Sequence, residues 1–164
     1  MTGQIHCWGH LFVNAISKRD LKRILHPGAV FHVDGRDGGA AYCVVAACDL
    51  RGLVIGRLFR EADVSSIETL DTSLPNIPVR FGDLHIREGK WKPAGVIRDF
   101  NIDEWRVKYF RRKNVFGQVF VTTYGDHAEL ISEVRVSESE AEDLPDGAGH
   151  GAGAIEILIS QWFC

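Results

Sequence analysis

Between Pro27 and Phe59 the chain alternates apolar stretches with turn residues, and no helical period intervenes. Ala29–Val33 is short and rich in β-branched and aromatic side chains, which predicts a strand. It breaks at Asp34-Gly35-Arg36-Asp37-Gly38-Gly39, a cluster that supplies positive-φ residues and local side-chain hydrogen bonds for a tight reversal. Ala40–Cys48 is an unbroken apolar run, the pattern of a strand covered on both faces, and so predicts a central strand of an antiparallel sheet. Asp49-Leu50-Arg51-Gly52 turns the chain again and Leu53–Phe59 leaves it. Three consecutive strands result.

Outside this meander the pattern is more mixed. Gln4–Val13 reads as a strand, with Ile5, Trp8, Leu11, Phe12 and Val13 among polar residues. Ser17 and Asp20 have capping-box spacing, with Asp in place of Glu, and Leu21, Ile24 and Leu25 follow on one helical face until Pro27-Gly28 ends the helix. Residues 60–76 are polar and irregular, a connecting loop with at most a turn of helix. Ile77–Ile86 and Trp91–Ile97 read as strands around an Arg87–Lys90 turn, Pro93 confining the second to an edge or a bulge. Asn101–Tyr109 predicts a short helix capped by Asn101, with Trp105 on its apolar side. Val115–Tyr124 and His127–Val136 predict a hairpin about Gly125-Asp126. Ile155, Ile157 and Ile159 recur at period two and predict a strand, against the helix face that Ile155, Leu158, Ile159 and Trp162 would form.

Seven or eight strands and one or two helices make the expected fold mainly β (α+β): a strongly bent antiparallel sheet or open barrel with the helices packed on it. A length of 164 residues suits one domain over 1–164, with residues 137–153 forming an acidic and then glycine-rich loop. An apolar fraction of 45% and a charged fraction of 25% are those of an ordinary globular protein. A net charge of −3 is too small to draw in nucleic acid or membrane at long range. No apolar run approaches the roughly 20 residues that span a bilayer, and Met1-Thr2-Gly3-Gln4 does not open a secretory signal, so a cytoplasmic protein is expected. Cys7, Cys43, Cys48 and Cys164 are scattered, as small buried hydrophobes and a terminal thiol would be.

No motif of high specificity advertises catalysis. His6, Cys7 and His10 are metal-capable and close together, but a tetrahedral site would need Cys43 or His32 to complete it, and no C-x-x-C pair supports one. A strand bearing two half-exposed histidines and a buried cysteine explains them as well. The Asp34–Gly39 cluster lacks the alternating oxygen ligands and distal Glu of a calcium loop. Gly147–Gly153 lacks the lysine of a phosphate loop and follows Glu138, Glu140, Glu142 and Asp143, so a flexible linker is expected. Arg106, Lys108, Arg111, Arg112 and Lys113, interleaved with Tyr109 and Phe110, could grip single-stranded nucleic acid or form a solvated helix end.

Several anchors occur in a recognisable order: Pro27-Gly28 before Val30-Phe31, Asp34-Gly35-Arg36, Tyr42, Gly89-Lys90-Trp91 with Gly95 beyond, Phe110-Arg111-Arg112, and Gly153 before Ala154-Ile155-Glu156. This order resembles the immunity protein 26 family, found beside polymorphic toxins in bacteria. The likeness covers roughly residues 27–160, and the Gly-Lys-Trp block is its most specific part. The resemblance implies a non-catalytic inhibitor that binds and neutralises a cognate toxin domain; beside it, no cofactor and no membrane partner are expected, and a nucleic-acid partner is disfavoured. Gly28, Gly35, Trp91 and Gly95 are then fold residues, a core aromatic and three backbone bends. Glu138, Glu140, Glu142 and Asp143 are the candidate partner-binding residues, since an acidic loop could occupy the phosphate-binding cleft of a basic nuclease, although a plain solvated loop explains the same charges and is the stronger reading. The competing reading is a small metal-dependent enzyme using a His/Cys site.

Overall fold

The computed structural model describes residues 16–147 and 151–162. Ser17 caps α1 (Lys18–Ile24), its hydroxyl accepting from the Asp20 N–H at 3.2 Å, and Leu21 on the buried face turns inward. The meander follows as expected: β1 (Ala29–Asp34), β2 (Ala40–Cys48) and β3 (Leu53–Arg60). With β4 (Ile77–Gly82) and β5 (Lys92–Val96) they form an antiparallel five-stranded sheet ordered β4-β3-β2-β1-β5. β2 is its central strand, and the residues Ala41 and Cys43 to Ala47 are buried. Pro93 lies on the edge strand β5, beside the bulge where Val30 pairs with Gly95 and Phe31 with Pro93.

Alternation along β1 and β2 divides the core into two layers. Phe31, Val33, Cys43 and Val45 face a layer with Leu21, Trp91, Ile155 and Ile159, while Val30, Val44 and Ala46 face Phe59, Leu70, Ile97 and Trp105. Gly28 enters the meander at φ +86°, with the Phe100 ring 3.0 Å from where a Cβ would stand. At Gly35 a Cβ would collide with the Gly38 carbonyl and the Ser160 hydroxyl, so the β1–β2 turn can close only on a glycine.

A second, three-stranded antiparallel sheet follows, of β6 (Tyr109–Lys113), β7 (Val119–Tyr124) and β8 (Leu130–Val136), in the order β6-β7-β8. Phe110 and Tyr124 pack it on Ala47, Ile55 and Val107. The fold is therefore mainly antiparallel β with packed helices, in two sheets neither of which closes into a barrel.

Four local expectations are corrected. The C-terminal segment is not a strand but a helix, α4 (Ala152–Trp162). Ile155 and Ile159, four residues apart, are both fully buried on the first sheet, whereas Ile157 is partly exposed. A strand would have put all three isoleucines on one face and needed a neighbour for its backbone; a helix satisfies its own backbone and offers the i, i+4 stripe that the sheet lacks. The segment 77–86 is cut at Gly82: Asp83 opens a single helical turn, α2 (Leu84–Arg87), held by Arg87 Nε donating to Asp83 Oδ2 at 2.7 Å. The helix expected over Asn101–Tyr109 is one turn, α3 (Ile102–Trp105), capped by Asn101. The basic stretch beyond it is a strand, because Phe110 must reach the core while its neighbours face outward. Finally, residues 114–118 are a turn, so β7 is shorter than expected. The strand expected over Gln4–Val13 lies outside the described residues.

Candidate protein-binding face

The β6–β7 turn is built around Asn114. Its Oδ1 accepts from the N–H of Phe116 at 3.0 Å and of Gln118 at 2.9 Å, and its Nδ2 donates to Gln118 Oε1 at 2.8 Å. Backbone bonds between Asn114 and Gln118, and from the Gly117 N–H to the Asn114 carbonyl, close the loop. Such a turn is normally polar at its tip. Here the tip is Val115 and Phe116, 92% and 84% exposed. The bracing fixes the backbone that carries two apolar side chains in water, which lowers the ordering cost of any contact they make.

The last rung of the second sheet aligns Lys113, Val119 and Val136, so the acidic segment begins beside this tip. Lys113 Nζ sits 3.0 Å from Glu138 Oε1, and that hydrogen bond and charge hold the Glu138 carboxyl below its usual range. Glu140 accepts from the Ser137 hydroxyl and N–H, both at 2.7 Å, which lowers its carboxyl in the same direction. Glu142 and Asp143 are exposed and make no side-chain hydrogen bond or ion pair among the described residues. The segment is no free loop. Ala141 is buried, and the strand edge of β6 takes up its end, with Arg111 N–H donating to the Pro145 carbonyl and Gly147 N–H to the Arg111 carbonyl. The glycine run accordingly is not a uniform linker, since Gly147 is packed on Phe110 and Ala152 and Gly153 belong to α4.

On the far side of the same sheet, β8 is an outer strand exposed along nearly its whole length. Leu130, Ile131 and Val134 are 58%, 60% and 56% exposed. Neither the tip nor this strand was singled out from sequence. A Val-Phe pair between Asn114 and Gly117, where a turn wants polar residues, was the available signal.

The cations of the basic stretch are largely occupied. Arg106 bridges Asp103 at 3.2 Å and Asp126 at 2.9 Å, and Arg112 grips both oxygens of Glu133 at 2.7 and 3.1 Å while lying over the Phe120 ring. Phe110 is fully buried and cannot stack on a base. Of the metal-capable residues, His6, Cys7 and His10 lie outside the described residues. His32 and Cys43 stand on opposite faces of the first sheet, His32 against the Tyr42 ring and Cys43 in the layer beneath α4, so they cannot share one ion. Burial pushes the Cys43 thiol up to about 12 and, with Asp49 and Asp83 nearby, the Cys48 thiol up to about 11, the reverse of what a nucleophile needs. An open cleft of about 680 Å³ beside Cys48 has mixed walls, Asp49, Arg51, Arg80 and His127. Asp49 Oδ1 is consumed there by the N–H groups of Arg51 and Leu53.

A further polar constellation is internal. Glu156 on α4 accepts at Oε1 from Trp91 Nε1 at 3.1 Å, with His85 Nδ1 at 2.8 Å. The Glu156 carbonyl accepts from the Arg36 N–H at 3.1 Å, and Ser160 Oγ accepts from the Asp37 N–H at 2.9 Å. Thus the Gly35-Arg36 turn, Trp91 and Glu156, distant in sequence, meet under one helix.

In comparisons with protein families, with curated proteins and with solved structures, the chain matches none.

Proposed function

We propose that this chain is a non-catalytic protein-binding module, an immunity protein that occupies and neutralises a cognate toxin domain in the cytoplasm. The observation that carries the reading is the Asn114-braced tip, which presents Val115 and Phe116 almost fully to water at the end of the sheet where the acidic segment begins. Aromatic and aliphatic side chains on a braced backbone make good anchors of a protein interface, each filling a pocket that excludes water. The acidic segment suits a basic partner: Glu142 and Asp143 meet its cations, while Val115 and Phe116 fill an apolar pocket on it. Further support comes from the resemblance to immunity protein 26, whose anchors Gly35, Trp91 and Glu156 converge under α4. No helix among the described residues is long and apolar enough to cross a membrane.

The test is to sequence the genes beside this one, where the reading expects a toxin domain, and to co-express that domain with the chain; a neighbourhood without one refutes the reading. The wild-type chain restores growth and Phe116→Ser does not, with binding weakened by about 2 kcal/mol, roughly thirtyfold. Growth arrest undiminished by the wild-type chain refutes the reading.

A further inference from the structure

The outer strand of the second sheet raises a separate question. Edge strands usually resist pairing with another copy through like charges, prolines or bulges. β8 holds no proline, its register irregularity falls at Ile131, outside residues 132–136, and its two charges, Glu133 and Arg135, are of opposite sign, both exposed, and placed symmetrically about Val134. They share one face of the sheet, opposite Thr122 and Phe120 of β7, while Val134 opposite Val121 lies on the other. Arg135 has no ion-pair partner among the described residues. Glu133 is held by Arg112, yet each of its oxygens keeps an acceptor site free.

We propose that β8 pairs antiparallel with β8 of a second copy about a two-fold axis at Val134, joining two three-stranded sheets into one of six. In that register Glu133 faces Arg135 of the other copy at both ends of the axis, the two Val134 side chains face each other, and Ser132 faces Val136. Glu133 becomes the centre of a triad, between Arg112 of its own sheet and the second copy's Arg135. Other registers are poorer. Centring on Glu133 or on Arg135 sets like charges opposite each other. A shift of one residue either way sets both charges opposite valine or serine. The pairing covers Val134 and gives the unpaired backbone groups of β8 their partners, while the Val115–Phe116 tip stays free at the β6–β7 turn.

Sedimentation equilibrium of the full chain at micromolar to hundred-micromolar concentration tests this. The wild type is expected to approach twice its 18.3 kDa. R135E puts acids opposite at both ends of the axis and E133R puts bases there, so each alone weakens association at least about tenfold. An equimolar mixture of R135E and E133R restores complementarity at both ends and recovers the dimer. R135E removes no side-chain hydrogen bond or ion pair among the described residues, and circular dichroism matching the wild type shows that it folds. A wild-type monomer at the highest concentration overturns the proposal, as does a dimer insensitive to R135E or a mixture that stays monomeric. The inference does not depend on the immunity reading: a monomeric chain that still protects cells from the toxin overturns the dimer alone.

Discussion

The contact between Trp91, His85 and Glu156 permits a quantitative prediction. Trp91 is 2% exposed, so its indole N–H cannot turn to bulk water when its acceptor is removed. Glu156→Ala leaves that donor buried and unpaired, which costs about 1–3 kcal/mol. His85 keeps some access to solvent at 16% side-chain exposure, so losing the carboxylate there adds only about 0.5–1 kcal/mol. Alanine in a helix offsets a few tenths of this through propensity. The expected total is about 2–3 kcal/mol. Trp91→Phe removes the donor and also some of the packing on the Phe81 ring, whose centroid is 5.1 Å away. In that background Glu156→Ala should cost less, because no indole is left stranded. The coupling energy in the double-mutant cycle is predicted at about 1–2 kcal/mol, and the packing loss cancels from it. Glu156→Gln retains an acceptor oxygen and should fall between wild type and alanine. Urea unfolding followed by far-ultraviolet circular dichroism measures all four corners of the cycle without relying on Trp91 fluorescence. Additivity within about 0.5 kcal/mol would refute the argument, since it would mean that the bond between Trp91 and Glu156 does not tether α4 to the sheet.

Two further outcomes follow from burial. A Cβ at Gly147 would stand 2.6 Å from Phe110 Cβ and 3.2 Å from the Arg111 carbonyl, whereas at Gly151 nothing lies within 4 Å. Gly147→Ala should therefore destabilise by about 1–3 kcal/mol and Gly151→Ala by no more than about 0.5, read from denaturation midpoints; equal effects would restore a uniform linker. In a chain carrying Cys7→Ser and Cys164→Ser, a disulfide reagent at pH 8 should leave native Cys43 unmodified and react with Cys48 far more slowly than with a free thiol. With the folded Cys43 thiol at about 12, only about one molecule in ten thousand is thiolate at that pH. Raising the pH from 8 to 10 should speed both reactions, and denaturant should abolish the difference; rapid native labelling of Cys43 would show that β2 is not a buried strand.

The elements visible in the sequence were those whose signals are local. The Asp34–Gly39 turn, the apolar run of β2 and the Ser17 cap each state their conformation within a few residues, and the structure holds all three. Trp91 could be read as a core aromatic, but not that its N–H ends on Glu156, 65 residues away. The candidate site was half legible. The acidic segment stands out in composition, yet Lys113 and Ser137 already occupy Glu138 and Glu140. Val115 and Phe116 read as part of a strand in the sequence, because their apolarity fits one, and the structure places them in a turn. Exposure is a property of the surroundings, and a sequence does not display it.

The sequence alone determined the antiparallel meander at the heart of the fold, because turn chemistry and alternation act between near neighbours. Tertiary structure decided what the remaining apolar residues are for. Ile155, Ile157 and Ile159 fit either period, and only the bare face of Phe31, Val33, Cys43 and Val45 selected a helix there. Val115, Phe116, Leu130 and Val134 carry the same hydrophobicity as core residues, and no element among the described residues covers them. Burial depends on what packs across from a residue, and that is settled only when the whole chain has folded.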